Sequence, residues 1–297
     1  MCLSEPPGRK AFGQILSEAK VFPKKRLGQH FMTDPRLLGS IASVIVPDNS
    51  WVAVEVGAGI GTLTRELCQR ARWVYALEVD RDLEEAVAQS CAGLTNLTWV
   101  WGDALEYDLS GNAARKMHPD APLVLCGNLP YYITSELLYS ALVKRPQWSR
   151  MGFVVQEEVG ERMAAPPGGD FGRLSLWCQY RGTPRIERRI PRGAFLPRPD
   201  VGSCLVVLEM RSSWELSEEQ ESLMDVVSRA AFSKRRKTLL NGLQPLYHDK
   251  AALASAISAC GIDPDRRPEE LGVWGFLRLA KGLPLPNSLV STGGSAE

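Results

Sequence analysis

Four apolar runs, each closing on polar residues at its carboxyl end, constrain this chain more than any other feature. Residues 51–56 lead into Gly57-Ala58-Gly59-Ile60-Gly61, and residues 73–77 into Glu78-Val79-Asp80. Residues 97–101 lead into Gly102-Asp103-Ala104, and residues 122–125 into Cys126-Gly127-Asn128-Leu129-Pro130-Tyr131-Tyr132. Short continuous apolar runs of this kind read as buried strands. Open α/β sheets bind ligands beyond the carboxyl ends of their strands, so the ordered polar endings predict a site along that edge. Further strands are expected at 151–155, near 184–190 and at 203–209. Asp34-Pro35 opens a helix, with Asp as cap and Pro at the first helical position, and Leu37, Leu38, Ile41, Ala42, Val44 and Ile45 form its core stripe.

The glycine turn follows a strand and precedes a helix near Thr62, which lets backbone N–H groups approach a nucleotide-like ligand. Its spacing is Glu-x-Gly-x-Gly-x-Gly, distinct from the Gly-x-Gly-x-x-Gly of dinucleotide binders. An acid at the end of the second strand, Glu78, is placed for ribose hydroxyls. The fourth ending offers the Asn128 amide oxygen, the Leu129 carbonyl held outward by Pro130, and the flat ring of Tyr131. This set suits alkylation of adenine's exocyclic amine. Two acceptors on the amine's N–H groups draw its delocalised lone pair back to nitrogen, while an aromatic ring stacks on a base taken out of its helix.

At 297 residues the chain is long for one domain. After Met210 the pattern turns helical, with Ser217-Glu218-Glu219-Gln220 as a capping box. The expected division is an arm at 1–22, an α/β domain at 23–210, an all-α domain at 211–283 and a disordered tail at 284–297. No run of about 18 apolar residues suggests a membrane span. The seven cysteines and three histidines show no metal or disulfide spacing, which points to a reducing cytoplasm and no metal. Net charge is only +1, but basic residues gather at Lys20–Arg26, among Arg181, Arg185, Arg188, Arg189, Arg192 and Arg198, and at Lys234-Arg235-Arg236-Lys237. Such unevenness predicts a basic face for phosphates.

With these residues in place, the sequence resembles the KsgA/RsmA family of small-subunit ribosomal RNA adenine dimethyltransferases. The anchors are Leu27-Gly28-Gln29-His30-Phe31, residues 55–64, Glu78-Val79-Asp80, Gly102-Asp103-Ala104, Asn128-Leu129-Pro130-Tyr131, residues 195–203 and residues 231–240. The resemblance implies a Rossmann-like S-adenosylmethionine-dependent methyltransferase sheet with a final antiparallel strand and a small all-α C-terminal domain. It implies S-adenosylmethionine as donor, bordered by Gly57 and Gly59. Glu78 would hold its ribose, Asp103 its adenine amine, His30 and Met32 its flank, and Asn128 would stand between donor and substrate. His30 stands where the family often has Asn, and Ala58 where it often has Pro.

The implied substrate is a pair of adjacent adenosines in the 3′-terminal hairpin loop of 16S rRNA, in the immature 30S subunit, each methylated twice on N6. Asn128, Leu129, Pro130 and Tyr131 would be catalytic. Tyr131 and Phe195 would stack on the base, and Lys234, Arg235, Arg236 and Lys237 would bind RNA. Nothing in the sequence demands more than a monomer. Two other readings stay open: an erythromycin-resistance type methyltransferase acting on 23S rRNA, and a 30S assembly factor whose binding outweighs catalysis. A DNA adenine methyltransferase fits less well, because its usual motif has two prolines.

Overall fold

The computed structural model describes residues 14, 15, 17, 18, 22–24, 27–234 and 236–286, and every structural statement concerns these. The chain forms two compact units, one from residues 1–161 and 182–210, the other from 162–181 and 211–297. The second unit therefore draws a segment from before residue 211. Most of the expected arm lies outside the described residues, as does all of the expected tail beyond residue 286.

The first unit is built on a seven-stranded sheet. Its strands are β2 (Val52–Val56), β3 (Trp73–Glu78), β4 (Leu97–Trp101), β5 (Leu123–Asn128), β6 (Arg150–Gln156), β7 (Gly182–Ile190) and β9 (Ser203–Met210). Their order is β4-β3-β2-β5-β6-β9-β7. The first five run parallel, and β9 lies antiparallel between β6 and β7. Central strands covered on both faces need apolar side chains throughout, and β2 is buried at all five positions. Chain order reverses direction between β2 and β5, the switch point at which such sheets open a crevice.

That crevice depends on a close backbone approach. Gly127 has φ +152°, and a Cβ there would sit 2.2 Å from the Val56 carbonyl oxygen. No other residue lets β5 lie this tightly against β2 just before Asn128. The helix Pro35–Ile45 (α1) starts as expected: Asp34 accepts the Arg36 N–H at 3.0 Å, Pro35 occupies the first turn, and Leu38, Ile41, Ala42 and Ile45 are buried. One pairing was not expected. The dipeptide strands β1 (Phe31–Met32) and β8 (Phe195–Leu196) pair antiparallel, with Met32 opposite Phe195.

In the second unit, the helix Glu218–Ala231 begins at the capping box formed by Ser217 and Gln220. It packs with the helix Gly272–Gly282, where the rings of Phe232 and Phe276 stack at 5.3 Å. The helix Arg173–Arg181 belongs here because Arg181, fully buried, pairs with Glu221 at 2.8 and 3.0 Å. Trp214, Tyr180 and Trp177 surround its guanidinium at 4.5, 4.9 and 5.3 Å. Arg181 is therefore no part of a phosphate-binding surface, which corrects the sequence expectation. A buried charge must be paired, and Glu221 supplies the partner.

Candidate active site

The cavity at the carboxyl edge of β2, β3 and β5 has a volume of about 330 Å³, within the ~300–1,000 Å³ range of small-molecule sites. His30, Met32, Gly57, Gly59, Glu78, Asp103, Asn128, Leu129, Pro130 and Tyr131 all line it. Phe195 does not. The sheet thus gathers residues that are widely separated along the chain, as the strand endings predict.

The glycine turn is tied to the next strand by backbone bonds. Gly57 and Ala58 N–H donate to the Leu77 carbonyl at 3.0 and 3.1 Å. Gly59 N–H then donates to Glu78 Oε2 at 2.7 Å, and Val79 and Asp80 N–H donate to Oε1 at 3.0 and 2.9 Å. Burial pushes the Glu78 carboxyl above its ordinary pKa, while these three N–H groups oppose the rise. Each carboxylate oxygen can accept more than one hydrogen bond, which suits two vicinal hydroxyls. Gly59 has φ +60°, and a Cβ there would lie 2.9 Å from the Phe31 ring. Asp103 accepts the Leu105 N–H at 2.9 Å, which fixes its carboxylate at the cavity wall.

In the same cavity lining, Asn128 Nδ2–H donates to the His30 carbonyl at 2.8 Å. A carbonyl only accepts, so the amide nitrogen must face His30 and Oδ1 becomes the group offered elsewhere. Leu129 N–H donates to the Val154 carbonyl at 3.1 Å, which holds the turn on β6. The Pro130 carbonyl accepts from Thr134 Oγ1 at 2.8 Å, where the following helix begins. Tyr131 is fixed twice. Its hydroxyl shares a hydrogen bond with Ser203 Oγ at 2.9 Å, and its ring stacks on His30 at 5.5 Å between centroids. The His30 Nδ1 bonds the Pro197 carbonyl at 2.8 Å, so that nitrogen carries the proton.

Phe195 departs from its expected role. It is 3% exposed, packed in the core cluster that includes Met32 and Leu205, and its neighbour Leu196 is the outward residue at 49%. A strand alternates faces, and the pairing with β1 turns Phe195 inward. Here it is a core plug rather than a cover for a base.

Several residues at the site stand outside the set expected from sequence. Glu55 lines the cavity floor, 1% exposed, and accepts from Thr64 Oγ1 at 2.6 Å. In the sequence it is an acid inside an otherwise apolar strand and the opening residue of Glu-x-Gly-x-Gly-x-Gly, to which no site role is given. Lys24, which falls in a basic cluster, instead pairs with Asp80 and Asp82. In the arginine-rich stretch, Arg189 pairs with Glu157 and Glu161, and Arg192 Nε–H donates to the Pro199 carbonyl at 2.8 Å. In the second unit, Lys234, Arg236 and Lys237 are exposed just before Thr238, which caps the helix Leu239–Leu243; Arg235 lies outside the described residues.

The chain has relatives among known proteins. The pattern of the family described as ribosomal RNA adenine dimethylase matches residues 22–283. The ribosomal RNA small subunit methyltransferase A of Moorella thermoacetica is 38% identical over 282 residues, covering 93% of this chain and 97% of its own. That of Pediococcus pentosaceus is 35% identical over 272 residues, covering 89% and 91%. Among solved structures, a dimethyladenosine transferase from Plasmodium falciparum aligns with TM-score 0.67 at 25% identity, covering 84% of this chain and 96% of its own. The 23S rRNA methyltransferase ErmE aligns with TM-score 0.61 at 24% identity, covering 84% and 98%, and shares the fold.

Proposed function

The chain belongs to the ribosomal RNA adenine dimethylase family, and from that premise we propose that it dimethylates N6 of two adjacent adenosines in the 3′-terminal hairpin loop of 16S rRNA during 30S biogenesis. S-adenosylmethionine supplies the methyl group, already activated on a positively charged sulfur. The observation that carries the reading is the Asn128 amide, locked by His30 with Oδ1 as its remaining acceptor, on the same cavity as Glu78. The partner is the immature 30S subunit. The protein works as a monomer in the cytoplasm.

The cavity fits the donor on its own chemistry. Gly57 and Gly59 leave room for close backbone approach, Glu78 takes the ribose hydroxyls, and Asp103 takes the adenine amine. His30 and Met32 line the same pocket. On the substrate side, Asn128 Oδ1 and the Leu129 carbonyl would accept the two N–H groups of the target amine in the first round and the one remaining in the second, drawing its lone pair onto nitrogen. Each transfer forms an N–C bond as the donor's S–C bond breaks, and the amine's proton passes to solvent. Tyr131 stacks on the base with a ring pinned by Ser203 and His30. Positioning supplies the rate enhancement, and no side chain has to act as a strong base. Lys234, Arg235, Arg236 and Lys237 bind RNA phosphates.

The test is methyl transfer from labelled S-adenosylmethionine to unmethylated 30S particles, with 50S particles, naked RNA and DNA alongside. N6,N6-dimethyladenosine in 30S RNA alone is the expected product. Label in 50S RNA would select the resistance-type activity instead. Tight 30S binding with no label would leave an assembly factor on a methyltransferase scaffold.

A further inference from the structure

Three residues that the proposed chemistry does not use converge beside the donor cavity. Gln29 accepts the Lys24 backbone N–H on Oε1 at 2.8 Å and donates Nε2–H to Asp80 Oδ2 at 2.8 Å. The Lys24 ammonium meets Asp80 Oδ1 and Asp82 Oδ2, each at 2.5 Å. The Asp80 side chain is 4% exposed and that of Lys24 27%, so this pair is better shielded than a surface ion pair.

Asp80 is fixed independently of the segment it holds. Its own N–H donates to Glu78 Oε1 at 2.9 Å, and its carboxylate accepts the Asp82 N–H at 3.3 Å as the cap of the turn Arg81–Leu83. The segment it holds forms part of the cavity wall: Gly28, Gln29, His30, Phe31 and Met32 all line the site. The far end of that segment is secured by the pairing of Phe31 and Met32 with β8 and by the bond from Asn128 to the His30 carbonyl. The near end has a glycine with φ +57° at Gly28 and depends on Lys24 and Gln29. The far end is held by strand pairing and the near end by two carboxylates, of which Asp80 alone is shielded and alone reaches both Lys24 and Gln29, so the wall loosens first where Asp80 is lost.

We propose that Asp80, acting through Gln29 and Lys24, is a positioning residue of the donor site that holds the segment 27–32 against the Glu78 edge and sets how long the donor and its demethylated product stay bound. The inference rests on the donor reading of the cavity. Bonds to an ionised, shielded carboxylate are among the stronger hydrogen bonds, so their loss is expected in the dissociation rate.

The experiment follows S-adenosylhomocysteine binding to the full chain by rapid mixing, with Asp80→Asn, Gln29→Met, Lys24→Met and the Lys24→Met/Asp80→Asn double variant. Dissociation is expected to be about tenfold faster in Asp80→Asn and Gln29→Met, with association within about twofold and wild-type melting temperatures. The double variant should release ligand less fast than the product of the two single effects, because both changes remove the Lys24–Asp80 pair while only one removes Lys24–Asp82. Unchanged dissociation in variants that melt like wild type would overturn the proposal, and so would multiplicative effects of Lys24 and Asp80. If Asp80→Asn does not fold, Gln29→Met and Lys24→Met decide the matter by the same rates. A wild-type protein without affinity for S-adenosylhomocysteine would remove the donor reading itself, an outcome distinct from normal wild-type binding with unaltered variants.

Discussion

Asn128 and His30, 98 residues apart, are joined by one hydrogen bond of 2.8 Å from the Asn128 amide nitrogen to the His30 carbonyl. That bond decides which end of the amide faces the cavity, since only the nitrogen can donate. On the proposed function, replacing Asn128 by Ala removes the Oδ1 acceptor that would meet the target amine. Methyl transfer should fall by roughly 10²-fold or more, while donor affinity, measured by calorimetry, changes far less. Normal turnover in Asn128→Ala would remove the acceptor role.

Tyr131 offers a separable test of ring and hydroxyl. Its hydroxyl bonds Ser203, and burial raises the phenol pKa while that bond opposes the rise, so the ring stays neutral at physiological pH. Tyr131→Phe keeps the flat face and should retain most activity. On the proposed function, Tyr131→Ala would forfeit base stacking worth about 1–3 kcal/mol and should raise the KM for RNA. Equal losses in both variants would assign the effect to the hydroxyl instead.

Glu55 should impose a pH dependence on stability. Burial pushes its carboxyl up to about 8 from an ordinary 4.5; Thr64 opposes this and the Glu78 charge adds to it. A folded pKa above the unfolded one gives stability that is full below about 4.5 and is lost as pH rises through about 8. Glu55→Gln keeps the shape and the acceptor for Thr64 but cannot ionise. Between pH 5 and 8 its melting temperature should fall less than that of the wild type. Each tenfold difference in proton affinity between the folded and unfolded chains is worth ~1.4 kcal/mol. Parallel melting curves would show that Glu55 ionises normally.

Arg181 and Glu221 carry a stability prediction for the helical unit. Both are buried, and the guanidinium has aromatic rings of Trp177, Tyr180 and Trp214 around it. Glu221→Ala strands a charge inside the protein and should cost ~3–5 kcal/mol, read by chemical denaturation. A loss below about 1 kcal/mol would mean that the pair behaves like a surface pair.

For RNA, Lys234, Arg236 and Lys237 are the exposed cations of the turn before Leu239. Reversing all three charges should weaken 30S binding. The dependence of log affinity on log salt should flatten by about 0.7–0.9 for each phosphate no longer neutralised. Donor binding should be untouched. An unchanged salt slope would return these residues to ordinary solvated surface.

Much of this protein is legible in the sequence because the signals are local. Apolar runs with polar endings mark β2 to β5, Asp34-Pro35 marks a helix start, Ser217 and Gln220 mark a capping box, and Asn128 to Tyr131 stand out as a turn with unusual chemistry. Each of these depends on residues a few positions apart, which periodicity and turn chemistry report directly. What tertiary structure decided were pairings across long separations. Phe195 turns inward because β8 pairs with β1, and a two-residue strand has no alternation to reveal its buried face. Arg181 and Lys24 look like free cations in sequence but meet Glu221 and Asp80, 40 and 56 residues away. A charge is read from one residue, whereas its neutralisation depends on which carboxylate the fold brings beside it, and only the packed chain fixes that distance.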